Sequence, residues 1–224
     1  MPQSGEVVYV VDDDVSVREA ITGLLETLHL TVISFDSAES FLRHQRVDTA
    51  ACLILDLELP QMGGLELQLR LSENTGLPII FLTGHGDIPS SVRAMKHGAI
   101  EFLTKPVDVK ALTAAIGLGL QLNRDTRARE AHMIGLRNRL LRLTPREQEV
   151  LPLLVVGFLN KQIAATLGIA EVTVQIHRGR IMQKMEAASF ADLVRMCSLV
   201  GIPDPTSTAS SGDPVLDQGS TPPR

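Results

Sequence analysis

Four short strand-like runs each give way to a side chain that can do chemistry. Val7–Val11 is followed by Asp12, Asp13 and Asp14, and Cys52–Leu55 by Asp56. Ile79–Leu82 is followed by Thr83, and Ile100–Leu103 by Thr104, Lys105 and Pro106. Taken singly, each is commonplace: Asp12–Asp14 reads as a turn or helix cap, Asp56 as a strand end, Lys105-Pro106 as a loop. Gathered at one place, they make a different object. Three adjacent carboxylates repel, so that one keeps a proton or a cation binds. Oxygen-only ligands favour Mg2+, which takes one or two carboxylates and keeps waters or phosphate oxygens. Mg2+ and Lys105 would neutralise charge on a transferred phosphoryl group. Asp56 could then attack as nucleophile and form an acyl phosphate. Thr83 could donate a hydrogen bond to the arriving oxygens.

The gathering depends on the elements between them. Strand-like runs at Val7–Val11, Thr31–Phe35, Cys52–Leu55, Pro78–Leu82 and Ile100–Leu103 alternate with amphipathic segments at Val15–Leu28, Ala38–Gln45, Leu65–Glu73 and Pro89–His97. A fifth helix starts near Val107. This alternation predicts a parallel sheet covered on both faces, and runs such as Cys52–Leu55 fit strands buried on both sides. In a doubly wound sheet the carboxyl ends share one edge, and ligands sit where the strand order reverses. With flavodoxin-like order 2-1-3-4-5, strands 1 and 3 flank that point and carry Asp12, Asp13 and Asp56.

The helical pattern continues over Leu112–Leu143 and turns Arg-rich from Asn123, which predicts a fifth helix running into a helical linker. Thr144-Pro145-Arg146-Glu147 then starts a second, helical domain. Thr144 can cap, Pro145 suits the first helical position, and Glu147 completes a capping box. Beyond Ile202 almost no apolar residue remains, so the tail is expected to be disordered.

With 44% hydrophobic and 21% charged residues, the 224-residue chain reads as globular. No apolar run reaches the roughly 18 residues of a membrane span, and no secretory signal is visible at Met1–Glu6. A cytoplasmic protein is expected, with no membrane partner. Cys52 and Cys197 lie far apart in apolar contexts, which favours buried thiols over a disulfide or zinc site. The net charge of −5 hides an asymmetry. Residues 1–123 carry 8 basic and 16 acidic groups, and residues 124–202 carry 12 basic and 7 acidic. Only the C-terminal half is suited to meet a polyanion.

Residues 6–122 resemble a receiver domain of two-component signalling. The matching stretches are Val10–Asp14, Leu53–Gly64, Phe81–Asp87 and Phe102–Pro106, and Thr83-Gly84-His85-Gly86-Asp87 points to the FixJ-like group. The resemblance implies that Asp56 is the phosphoacceptor, that Asp13 ligates Mg2+ directly, and that Asp12 and the Glu58 backbone carbonyl assist. It implies phosphoryl contacts from Lys105 and Thr83, a switch aromatic at Phe102, and a cis Lys105–Pro106 bond.

Leu143–Met185 resembles the LuxR/FixJ-type helix-turn-helix, on Leu143–Glu147, Asn160–Ala164, Leu167–Ile169 and Val172–Arg178. A helix over Lys161–Leu167 should stop at Gly168. A recognition helix from about Glu171 to Met185 should turn Val174, Ile181 and Met185 inward, with Met182 near that face. Gln175, Ile176, Arg178 and Gly179 would then face outward. Gln175 and Ile176 are the base-edge candidates, since Gln pairs with adenine and Ile meets a thymine methyl. Gly179 would allow close approach. Thr173, Asn160, Lys161, Arg178, Arg180 and Lys184 are candidates for phosphate contacts, which position without specifying. His177 fits packing or DNA contact equally. Three departures from regular helices predict modest stability: Ala170 at a cap position, Pro152 expected to open or bend its helix, and Gly179 inside the recognition helix.

The expected organisation is a receiver at 5–122, a helical linker at 123–142, a LuxR-type helix-turn-helix domain at 143–202 and a tail at 203–224. A transcriptional response regulator of the NarL/FixJ family is implied. A sensor histidine kinase would phosphorylate Asp56. The face of helix 4 and strand 5, with Val92, Lys96, Ala99 and Glu101, would support a homodimer on paired promoter half-sites, with RNA polymerase a further partner. Two other readings stay open. A phosphohydrolase with an aspartyl nucleophile would need an acid two residues on, where Glu58 stands, but no cap domain is present. A phosphorylation-independent DNA binder would not need the complete acidic set.

Overall fold

A computed structural model of the chain describes residues 5–72, 76–84 and 88–202. The chain divides into two compact units between Arg129 and Glu130. The expected tail lies outside the described residues, as do His85, Gly86 and Asp87.

The first unit alternates β1 (Val7–Val11), α1 (Val15–Thr27), β2 (Thr31–Phe35), α2 (Ala38–Arg43), β3 (Ala51–Asp56), α3 (Gly64–Ser72), β4 (Ile79–Thr83), α4 (Ile88–Lys96) and β5 (Glu101–Thr104). The strands form one parallel sheet of order β2-β1-β3-β4-β5. This is the flavodoxin-like order expected from the sequence. β1, β3 and β4 are buried throughout, whereas the edge strands β2 and β5 keep exposed positions. One core face gathers Tyr9, Phe41, Leu53, Leu55, Leu67 and Phe81. The other gathers Val8, Val10, Ile54, Ile80, Leu112 and Ile116. Alternate residues of each strand thus fill opposite layers.

α5 runs unbroken from Val109 to Leu141, so the fifth helix and the Arg-rich segment are one element. The division between the units falls inside it.

The second unit continues with α6 (Pro145–Val155), α7 (Asn160–Leu167), α8 (Glu171–Met185) and α9 (Phe190–Leu199). The capping box of Thr144 and Glu147 is present, and Gly168 ends α7 at φ 65°. Val150, Leu151, Leu154, Ile163, Val174, Ile181, Met185 and Leu193 form the core. α6 is helical across Pro152, so the proline does not open it. Only one backbone donor is lost there, and buried Leu151, Leu154 and Val155 hold the flanking turns. Both cysteines are free and buried, and burial pushes the Cys52 thiol up to about 12 and the Cys197 thiol to about 11.

Candidate phosphoryl site and DNA-binding surface

The carboxyl edge of the sheet brings the predicted quartet together. Asp12 follows β1, Asp56 ends β3, Thr83 ends β4 and Lys105 follows β5. Asp12, Asp56 and Thr83 are buried, at 1%, 6% and 0% exposure. Lys105 Nζ donates to Asp12 Oδ2 at 2.6 Å and to Asp56 Oδ2 at 2.7 Å. Each carboxylate keeps a second tie: Asp12 Oδ1 accepts from the Asp14 backbone N–H at 2.9 Å, and Asp56 Oδ1 from that of Glu58 at 3.2 Å. The Lys105 backbone N–H donates to the Thr83 carbonyl at 2.7 Å, and the Lys105–Pro106 peptide is cis.

Asp13 completes a group of three. Carboxylate oxygens of Asp12, Asp13 and Asp56 lie within 4.8 Å of one another. Asp14 stands apart from them: it caps α1, accepting from Ser16 and Val17. Three carboxylates against one ammonium leave an excess of two negative charges, which a divalent cation with oxygen ligands matches. Burial pushes the Asp12 carboxyl above its usual range, hydrogen bonds from Lys105 and Asp14 oppose that, and the Asp56 charge adds to it. Burial lowers Lys105, but its two carboxylate partners outweigh burial and hold the ammonium charged.

One close packing contact reaches Asp56 from outside the charged cluster. Gly64 opens α3 directly beneath it. A Cβ there would run into the Asp56 carbonyl oxygen and lie 3.1 Å from Leu57 Cα and from the Phe81 ring. In the same loop Gln61 adopts φ 68°, with Met62 N–H donating to Pro60 O at 2.8 Å around it. Phe102 is partly buried, its ring 6.2 Å from that of Phe81. Val92, Lys96 and Glu101 are exposed. Ala99 is not: at 6% exposure it belongs to the core, where its N–H closes the end of α4 on the Ala94 carbonyl. It is therefore removed from the expected dimer face.

In the second unit, α8 buries Val174, Ile181 and Met185 and half-buries Met182. Gln175, Ile176, Gly179 and Arg180 are exposed on the other side, and Lys161 is exposed at the start of α7. Asn160, Thr173 and His177 are half-buried, and so is Arg178, which the helical pattern places on the outer side. A Cβ on Gly179 would meet no atom within 4 Å, so the glycine leaves open space on the outer face. Neither Leu159 before α7 nor Ala170 before α8 gives a side-chain cap.

Three ties of α8 were not foreseen. The Arg178 guanidinium lies 4.8 Å from the centre of the Phe190 ring. Lys184 Nζ donates to Glu147 Oε2 at 2.6 Å, and that carboxylate is 1% exposed and also accepts from the Thr144 N–H. Arg139 pairs with Glu186, the residue that ends α8. The capping sequence announced Glu147 at its own helix end. Nothing local announced a partner 37 residues away.

Comparison with known proteins agrees with this geometry. Residues 8–117 match the response regulator receiver domain, and residues 141–197 match the bacterial regulatory proteins of the luxR family. Nodulation protein W of Bradyrhizobium diazoefficiens is 45% identical over 197 residues, 88% of this chain and 87% of its own. Response regulator protein TodT of Pseudomonas putida is 42% identical over the same shares. The solved structure of response regulator StyR is 50% identical, with a TM-score of 0.79 over 86% of this chain and 98% of its own. Full-length FixJ from B. japonicum is 34% identical, with a TM-score of 0.53 over 90% of this chain and 100% of its own. The chain belongs to the two-component response regulators of the NarL/FixJ family, which join a receiver domain to a LuxR-type helix-turn-helix domain.

Proposed function

We propose that Asp56 accepts a phosphoryl group from a sensor histidine kinase and that this controls promoter binding by the second domain. The observation that carries the reading is Lys105 joining Asp12 and Asp56 at the carboxyl edge. An Asp56 oxygen attacks the donor phosphorus; the new O–P bond forms and the donor's leaving group departs with its electron pair. Lys105 then faces the phosphoryl oxygens, and Thr83 offers its hydroxyl to them. Asp12, Asp13, Asp56 and the Glu58 carbonyl would hold Mg2+, which when bound supplies charge neutralisation of the transferring group. Asp56 is an acceptor here, and the chain is not a turnover enzyme on an external substrate.

Phe102 and Thr83 would report the new charge to α4 and β5. The exposed face there is apolar as well as charged: Ile88, Val92 and Met95 are 78%, 45% and 47% exposed, beside Lys96 and Glu101. Two copies joined on this face would present two α8 helices to half-sites about one turn apart. Gln175 and Ile176 would read bases across the exposed side of α8. Asn160, Lys161, Thr173, Arg178 and Arg180 would contact phosphates. Lys184 is left out of this set, because its ammonium is held by buried Glu147. The receiver is taken as 5–122, the linker as 123–142 and the DNA-binding domain as 143–202. No helix among the described residues is long and apolar enough to cross a membrane; action in the cytoplasm, together with RNA polymerase, completes the proposal.

The test is a small-molecule phosphodonor with Mg2+, applied to wild type and Asp56→Asn. Wild type should dimerise and bind promoter DNA more tightly, and the variant should do neither. Equal DNA affinity and oligomeric state in the two would sink the reading.

A further inference from the structure

The last turn of α8 is held from outside the DNA-facing surface. Arg139, on the last turns of α5, sends Nη2 to Glu186 Oε2 at 2.6 Å and Nη1 to the Met185 carbonyl at 3.4 Å. Glu186 ends α8 in the left-handed conformation, φ 55°, with its N–H turned back to Met182 and Gln183. Arg142 Nη1 lies 3.9 Å from its other oxygen. The Met185 side chain is fully buried in the domain core. The guanidinium therefore sits where unpaired carbonyls and the negative end of the helix dipole are concentrated. One arginine grips both the final carbonyl of α8 and the carboxylate of the residue that stops it.

We propose that Arg139 and Glu186 form a clamp that fixes the C-terminal end, and so the angle, of the DNA-reading helix, making both positioning residues for DNA binding that touch no DNA. Base contacts by Gln175 and Ile176 demand placement of the helix to a fraction of an ångström. Val174 and Ile181 fix which face points inward, but apolar contacts alone leave sliding and tilt less restricted than directed hydrogen bonds do. The clamp adds a directed contact at the end of the helix remote from its N-terminus, and the pair of Lys184 with buried Glu147 adds another two residues before Glu186. The proposal rests on α8 being the helix that reads DNA.

The experiment uses full-length protein and a duplex selected from random sequence by the wild type, with affinity measured across a salt series. Arg139→Gln should weaken binding roughly threefold to tenfold and leave the slope of log affinity against log salt unchanged. An arginine that contacts phosphate would instead lower that slope by about one. Glu186→Asn keeps a residue type that tolerates the left-handed conformation and removes a negative charge. On charge alone it should tighten DNA binding, whereas the clamp requires it to weaken. The exchange Arg139→Glu with Glu186→Arg should recover part of the lost affinity. A reduced salt slope for Arg139→Gln, or unchanged or tighter binding for Glu186→Asn, overturns the clamp. Gln175→Ala separates the two failures. If it weakens binding while the clamp variants do not, only the clamp is wrong; if it has no effect, the assignment of α8 falls and the clamp falls with it.

Discussion

Lys105 and Asp56 meet through a 2.7 Å ion pair between residues that lie 49 positions apart in the chain. The same ammonium holds Asp12, so its removal strands two nearly buried carboxylates beside Asp13. Breaking such a pair from one side is costly, here about 2–4 kcal/mol. Lys105→Ala should therefore unfold at lower temperature than wild type in metal-free buffer. Mg2+ should then restore more stability to the variant than it adds to wild type, because the variant's site carries one more uncompensated negative charge. The variant should also lose the response of DNA binding to phosphodonor. Thermal unfolding across a Mg2+ titration checks the first part, and an identical Mg2+ shift in both proteins would contradict it.

Gly64 makes a second prediction about the same aspartate. Gly64→Ala places a methyl group against the Asp56 carbonyl oxygen and Leu57 Cα. Both are backbone atoms in or beside a buried strand, so neither can swing aside. Overpacking of this kind costs about 1–3 kcal/mol. The expected result is a fall of that size in urea-derived stability, with slower phosphodonor labelling of Asp56 in the fraction that stays folded. Wild-type stability and labelling would show that the loop relaxes freely.

Much of this was legible beforehand, for reasons that differ by element. Val7–Val11 and Thr31–Phe35 coincide with β1 and β2, because short stretches rich in Val, Ile, Thr and aromatic residues favour strand. β5 starts one residue later than the expected strand Ile100–Leu103, since the Ile100 N–H already bonds to the Ile79 carbonyl outside the regular ladder. The quartet at the carboxyl edge was readable because alternation of strand and helix fixes which ends of the strands coincide. Ala99 reads as a surface residue in the sequence because position along α4 and β5 does not reveal that it is buried at that turn. Lys184 read as a surface cation because its helix face looks polar, and only the folded domain brings buried Glu147 to it. Gln61 gave no sign of its left-handed backbone, a conformation usually left to glycine or asparagine.

Glu147 predicts a pH dependence for the DNA-binding domain. Burial raises its carboxyl, but hydrogen bonds from Lys184 and from Thr144 outweigh burial and hold it below the ordinary value of 4.5. A carboxyl depressed in the folded state contributes stability that is fully present above its unfolded pKa and is lost as pH falls through its folded pKa. Unfolding temperature of this domain should thus be flat near neutrality and decline below about pH 4.5. Glu147→Gln should start lower at pH 7 and show a shallower acid decline. Parallel pH profiles for the two proteins would rule out Glu147 as the source.

The uncapped start of α8 gives the last prediction. Ala170 has φ −74° and ψ 147°, the extended geometry of a helix cap, but offers no side-chain acceptor. The first N–H groups of α8 thus lack the usual serine or aspartate oxygen. Ala170→Ser needs no backbone change and is exposed, so it should raise the stability of the domain by about 1 kcal/mol. Those same N–H groups are also placed to meet a phosphate oxygen at a helix N-terminus. If they do so in the DNA complex, a serine that occupies them competes with the phosphate. Ala170→Ser would then be more stable yet bind DNA less tightly, while Ala170→Gly would leave DNA affinity unchanged. Calorimetric unfolding and affinity measured on the same samples decide it. A gain in stability with undiminished affinity would show that the N-terminus of α8 is not used for phosphate.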